Sequence, residues 1–90
     1  MEKRNNALPP APQLLHLGGY LDKLPPMIAR KGVKYFTGGL ISPKKLANDD
    51  SAGKGPLVRQ KIGEGVVYPT PYFLAYLEAQ GVHVIAVPQL

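Results

Sequence analysis

Thr37–Pro69 reads TGGLISPKKLANDDSAGKGPLVRQKIGEGVVYP, and its punctuation decides the fold. Gly38 and Gly39 stop a preceding helix, because glycine accepts the positive φ that closes a helix C-terminus. Ser42 then starts another. Its hydroxyl is an N-cap acceptor for an early helical N–H, and Pro43 at the first helical position loses nothing by lacking one. Two glycines, two apolar residues and Ser-Pro therefore spell helix, tight turn, helix. Lys44 and Lys45 fall in the first turn of that second helix, where the positive end of the dipole makes each cation unfavourable by ~0.3 to 1 kcal/mol. Cations kept there at a cost point to a partner that wants them. Downstream, Val58, Gln60 and Ile62 alternate with Arg59 and Lys61, Gly63-Glu64-Gly65 interrupts, and Val66-Val67-Tyr68 resumes with β-favouring residues. This pattern predicts a hairpin with a basic outer face, in which Arg59 and Lys61, two apart, project together and Val66 and Tyr68 close the core.

Outside that stretch the chain supplies support. A last helix is expected to start at Thr70 as cap with Pro71 in its first position, and to end before Gly81. Phe73, Leu74 and Leu77 form its inward stripe, with Tyr72 and Tyr76 at the core edge. A first helix is expected from about Arg30 to Phe36, with Ile28, Val33 and Phe36 inward and Arg30, Lys31 and Lys34 outward, weakened by Gly32. Residues 1–13, MEKRNNALPPAPQ, read as a disordered or extended arm because Pro9, Pro10 and Pro12 forbid regular hydrogen bonding. Residues 14–27 carry a leucine-rich docking segment and an extended lead-in through Leu24-Pro25-Pro26-Met27. In the tail, residues 82–90, His83–Val87 favours a short additional strand that Pro88 ends.

Ninety residues allow one small domain, and the absence of cysteine excludes a disulfide framework and thiolate chemistry. The net charge is +5, and from Arg30 to Lys61 eight Lys or Arg face only Asp49 and Asp50. The positive charge thus sits in the middle of the chain, where an anionic partner would meet it. No apolar run reaches the ~18 residues of a membrane helix, and no signal-peptide order is present. A cytoplasmic protein is expected, with no cofactor, no metal and no small-molecule substrate. Catalysis is not expected either. His16 and His83 are far apart in apolar neighbourhoods, and the adjacent Asp49 and Asp50 splay about 100° apart on a helix, the wrong arrangement for a shared acid-base site.

The order of a basic first segment ARKGVKYFTGG, the helix LISPKKLAN, the turn GKGP, a basic strand into IGEGVVYP and a final helix ending LAYLEAQG resembles the excisionase-like, MerR-related winged helix-turn-helix domains of phages and mobile elements, including AlpA-type regulators. The likeness spans residues 28–81. Ala29 stands where such domains often carry a Ser or Thr cap, Asp49 where an apolar residue is expected, and Glu64 where the wing tip is often basic. The resemblance implies an α+β fold of two helices, a two-stranded wing and a C-terminal helix. It also implies a small sequence-specific DNA-binding regulator of recombination or transcription in a bacterial or phage-infected cell.

The partner expected is double-stranded DNA, with self-association through the terminal segments as a further option. Helix 42–52 would enter the major groove and wing 57–68 would hold the backbone. The candidate contacts are Arg30, Lys31, Ser42, Lys44, Lys45, Asn48, Ser51, Lys54, Arg59 and Lys61, because cationic side chains pair with phosphates or guanine edges and an Asn amide bonds an adenine edge. The same residues also suit an ordinary solvated face. Asp49 and Asp50 are open to three readings: pairing with Lys45, accepting from cytosine amino groups, or marking a helix that stays out of the groove. The competing function is a protein-interaction module on the same scaffold, which Asp49, Asp50 and Glu64 favour. The two readings part on whether the cations converge on one face with the acids turned away.

Overall fold

Prolines and glycines cut this chain into short elements, and pairing rather than length holds them together. A computed structural model describes residues 9–88 of the 90-residue chain. In order they are a 3-10 turn Gly18–Lys23, strand β1 (Met27–Ala29), a second 3-10 turn Arg30–Gly32, helix α1 (Val33–Phe36), helix α2 (Pro43–Ser51), strands β2 (Gln60–Ile62) and β3 (Gly65–Pro69), and helix α3 (Thr70–Glu78). The fold is α+β, with a three-stranded antiparallel sheet in the order β1-β3-β2. Ile28 faces Tyr68 across β1 and β3, and Lys61 faces Val66 across β2 and β3. Gly63 opens the two-residue hairpin turn at a φ of 60°, a conformation that glycine takes without strain.

The core is one cluster of Ile28, Val33, Ile41, Leu46, Tyr68, Phe73 and Tyr76, with Leu24, Val66 and Leu77 packed around it. Phe73 is its centre, with ring centroids 6.4 Å from Tyr68 and 5.9 Å from Tyr76. The expected turn between α1 and α2 forms as read: Gly38 and Gly39 take φ values of 62° and 92°, and the Gly39 N–H closes onto the Lys34 carbonyl at 2.8 Å. Thr37 completes it, donating to the Val33 carbonyl at 2.8 Å and accepting from the Ile41 N–H at 3.0 Å.

Four expectations are corrected. The first helix does not run continuously over 30–36; it is a 3-10 turn followed by one α-helical turn, because Ala29 offers no capping acceptor and belongs to β1. Phe36, expected inside, is 36 % exposed beside an apolar groove. Thr70 does not cap α3: it is the first helical residue, Pro69 takes the cap position, and the hydroxyl instead donates to the Pro25 carbonyl while its N–H bonds the Pro26 carbonyl at 3.0 Å. Thr70 thus ties α3 to the lead-in through both prolines' carbonyls. The tail forms no strand through residue 88; the third strand is β1, and Gly81, at a φ of 98°, sends the chain out beside α3, with Val84, Ile85 and Val87 exposed.

The N-terminal segment docks on α3. Its first eight residues lie outside the described residues, which takes in most of the expected arm, and residues 9–13 have no regular structure. Tyr72 donates its hydroxyl to the Pro9 carbonyl at 2.5 Å. Glu78 accepts from the backbone N–H groups of Leu15, His16 and Leu17 at 3.1, 2.6 and 2.6 Å. Burial pushes the Glu78 carboxyl upward, but the three N–H groups outweigh it and hold the pKa below the usual range.

Candidate nucleic-acid interface

Helix α2 starts as its sequence dictates. Ser42 accepts from the Lys45 N–H at 3.0 Å and Pro43 follows at the first position. The Ser42 hydroxyl is thereby committed to the cap rather than offered outward. Leu46 is fully buried and Asp50, four residues on, lies on the same inward face at 9 % exposure. One helical turn apart, these two fix how α2 sits. The opposite face carries Lys44, Asn48 and Ser51, with Lys45 at its edge beside Asp49, all four exposed.

The two carboxylates of α2 are both bonded to other elements of the fold. Asp50 Oδ2 accepts from the Tyr68 hydroxyl at 2.6 Å and from Arg30 at 2.7 Å, and Arg30 Nε donates to the Tyr68 oxygen at 3.0 Å. Arg59 lies 3.5 Å from Asp50 Oδ1, an ion-pair distance; no described residue gives that buried oxygen a hydrogen bond. Gly55 closes the same pocket: a Cβ there would fall 1.9 Å from Oδ1. Burial, reinforced by the hydrogen bond to Asp50, pushes the Tyr68 phenol up to about 12. The Tyr68 oxygen, and then the Asp50 carboxylate, hold Arg30 above its usual pKa despite partial burial. Asp49 Oδ2 accepts from Tyr76 at 2.6 Å and from Lys45 Nζ at 3.0 Å, and these two bonds, Tyr76 first, keep its carboxyl below the usual range. Burial, and after it the Asp49 carboxylate, push the Tyr76 phenol far upward.

The ten candidate contacts therefore divide. Lys44, Asn48 and Ser51 share the outward face of α2, with Lys45 at its edge, steadied by Asp49. Lys54, in the turn after α2, and Lys61, on β2, are exposed. Lys31 lines a cleft of about 380 Å³ between the α2 N-terminus and the hairpin, with Arg30, Pro43, Glu64, Gly65 and Val66 among its walls. Arg30, Ser42 and Arg59 have internal partners, Arg59 retaining 54 % exposure of its side chain. Arg59 and Lys61 stand two apart, but not on a separate outer face as expected. Lys61 faces Val66, and continuing that register puts Arg59 opposite Tyr68, so the pair shares the core-side face of the hairpin and Gln60 and Ile62 take the outer one. The residues sequence reasoning missed are Tyr68 and Tyr76 as hydroxyl donors to the two aspartates. The spacing of Asp50 from Leu46 was the available signal, since it placed an acid on the helix's only strongly apolar face.

A second surface lies elsewhere. An apolar groove of about 490 Å³ runs between the 3-10 turn Gly18–Lys23, the α1–α2 turn, α3 and the start of the tail, lined by Leu17, Tyr20, Phe36, Leu40, Leu77 and His83 among others. None of its lining residues belongs to α2 or the hairpin. Among the described residues, no helix is long and apolar enough to cross a membrane, and no group of three metal-ligating side chains occurs. Comparison with protein-family models, with curated proteins and with solved structures gave no match to this chain.

Proposed function

We propose that this chain is a small sequence-specific DNA-binding regulator of winged helix-turn-helix type, with α2 as the recognition helix and the β2–β3 hairpin as the wing. The observation that carries the reading is that both carboxylates of α2 are engaged, Asp50 in the interior and Asp49, partly exposed, at the helix edge. Both acids that would repel a phosphate backbone from α2 are engaged by Tyr76, Lys45, Tyr68 and Arg30. The outward face is left with Lys44, Asn48 and Ser51, a cation and two side chains able to read base edges, with Lys45 at its edge paired to Asp49. Lys31, Lys54 and Lys61 add exposed charge from neighbouring loops and the hairpin. Resemblance to excisionase-like domains supports a role in recombination or transcription of a mobile element, in a cytoplasmic setting.

The apolar groove favours a second activity, association with a protein or another copy of the chain. It shares no residue with α2 or the hairpin, so the two activities draw on different side chains. Fluorescence anisotropy with random-sequence and selected duplexes across a salt series tests the DNA reading. Binding is expected to weaken steeply with salt, and replacing Arg59 and Lys61 with Ala is expected to flatten the log-log slope by roughly one unit for each phosphate no longer neutralised. Asn48→Ala should weaken a selected duplex more than a random one. Absence of binding at low salt would sink the DNA reading and leave the protein-interaction module.

A further inference from the structure

We propose that Asp50 is a positioning residue: its carboxylate sets the outer strand of the hairpin against α2 and holds Arg59 in reserve, oriented for a phosphate but partly neutralised until a phosphate takes the carboxylate's place. The second half of this inference rests on the DNA reading; the first does not.

One carboxylate here gathers four separate parts of the chain. Arg30 reaches it from the turn after β1, Tyr68 from the central strand, Arg59 from the approach to β2, and the Gly55 backbone closes against it from the loop after α2. The inner strand of the hairpin, β3, is already held by its pairing with β1 and by Tyr68 in the core, but the outer strand β2 has little else to orient it toward α2. Residues 52–59 contain no regular element, and β2 is a three-residue edge strand exposed throughout. Pro56 and Val58 are the buried residues of that connection, and both pack without specifying direction. A directional ion pair supplies what apolar packing lacks.

The two oxygens are used unequally. Oδ2 takes a short charge-assisted bond from Arg30 and another from Tyr68, whereas Oδ1 has only Arg59 at 3.5 Å, longer than the ~2.7 to 2.9 Å of a formed charge-assisted bond. A buried acceptor without a hydrogen bond is costly and rare, so its retention calls for a reason. Exchange of Arg59 supplies one. Arg59 is half exposed, so its guanidinium can leave for a phosphate while Arg30 stays to neutralise the carboxylate. In the unliganded protein the same attraction competes with phosphate and lowers the return from any duplex.

Amide hydrogen exchange on the whole chain tests the positioning, using Asp50→Asn and, because that variant removes a buried charge, Arg59→Gln as a milder partner. In both, exchange at Gln60–Ile62 is expected to accelerate by about tenfold, with Phe73 and Leu74 unchanged. Unchanged exchange across β2 in both variants would overturn the inference whatever DNA does. Anisotropy with a random-sequence duplex tests the reserve. Asp50→Asn is expected to bind several-fold tighter than the unaltered protein but to gain nothing in an Arg59→Gln background, whereas the mere loss of a negative charge would tighten both. Weaker or equal binding, or the same gain in both backgrounds, overturns the reserve. No binding by either protein at low salt removes the DNA reading, and the exchange result still decides the positioning.

Discussion

Helices α2 and α3 are both nine residues long and are held by opposite means. Helix α3 buries Tyr72, Phe73, Leu74 and Tyr76, so the hydrophobic effect fixes it in the core. Helix α2 buries a single apolar side chain, Leu46, and is otherwise fastened by Asp50 to Arg30 and Tyr68 and by Asp49 to Tyr76. An apolar helix of this length is committed on most of its circumference. A helix fastened by two carboxylates on one side keeps the other free, and that free side bears the candidate DNA contacts. The two helices also meet: Tyr76 of α3 donates to Asp49 of α2, so the apolar helix supplies a fastening for the polar one.

The largest effect should come from the apolar side. Phe73→Ala empties the centre of the core, and cavity formation together with forfeited transfer energy costs roughly 3 to 5 kcal/mol. For a domain of this size that is a large share of its whole stability. Denaturant unfolding should show the midpoint collapsing, with helix content falling throughout. If α2 and its outward face stayed ordered while α3 melted, the two helices would not be one cooperative unit.

Next comes the polar side. Asp50→Ala leaves the Tyr68 hydroxyl without its acceptor and Arg30 without its carboxylate; since the Arg30 side chain keeps 27 % exposure, the cost is that of unmade buried hydrogen bonds, about 1 to 3 kcal/mol. A difference in kind is expected as well as in size. Because the Asp50 side chain is 4 % exposed, its contribution should persist in high salt, whereas the more exposed Lys45–Asp49 pair is screened. Chemical denaturation of the variant and the unaltered protein at low and high ionic strength checks this. A destabilisation that disappears in salt would place the Asp50 cluster at the surface.

The pH dependence sharpens the same contrast. Tyr68 has its pKa raised, from an ordinary 10 to about 12, by burial first and by Asp50 second. A raised pKa means that the neutral phenol is favoured in the folded state, so this contribution is intact below pH 10 and fades as pH climbs toward 12. Asp49 and Glu78 have lowered pKa values, so their contributions are intact above the ordinary carboxylate range and fade as acid protonates them. Thermal unfolding followed from about pH 3 to about pH 12 should therefore give a plateau with a fall at each end. Tyr68→Phe should blunt the alkaline fall and leave the acid one unaltered, whereas a variant with the same alkaline profile as the parent would remove Tyr68 from it.

How much of this was legible beforehand follows the kind of force involved. Local rules at single positions read through directly: Ser42 and Pro43 start α2, Gly38 and Gly39 end α1, and Gly63 turns the hairpin. Features that depend on distant partners did not. Met27–Ala29 is too short to announce itself and becomes a strand because β3 offers an edge. The tail residues His83–Val87 carry strong β-favouring side chains and yet pair with no described strand. Thr70 has the chemistry of a cap, but the Pro25 carbonyl 45 residues earlier takes its hydroxyl. In the candidate site the outward stripe followed from helical spacing, and the Leu46–Asp50 spacing reported that Asp50 turns inward, but the two tyrosine hydroxyls that meet Asp49 and Asp50 come from other elements and have no local signal.

The smallest effect on stability is the most telling for function. Lys44 is exposed in the first turn of α2, near the positive end of the helix dipole, where its charge works against the helix. Lys44→Glu replaces an unfavourable charge with a favourable one and should stabilise the protein by ~0.3 to 1 kcal/mol, seen as a small rise in Tm. If the outward face of α2 meets phosphate, the same change should weaken duplex binding and flatten the salt dependence by roughly one unit or more. A gain in stability with weaker binding is the signature of a residue kept for a partner at the expense of the fold. Two results would dissolve the contrast between the helices. If stability fell, Lys44 would belong to the fastening after all; if stability rose and binding held, the free side of α2 would be an ordinary solvated face.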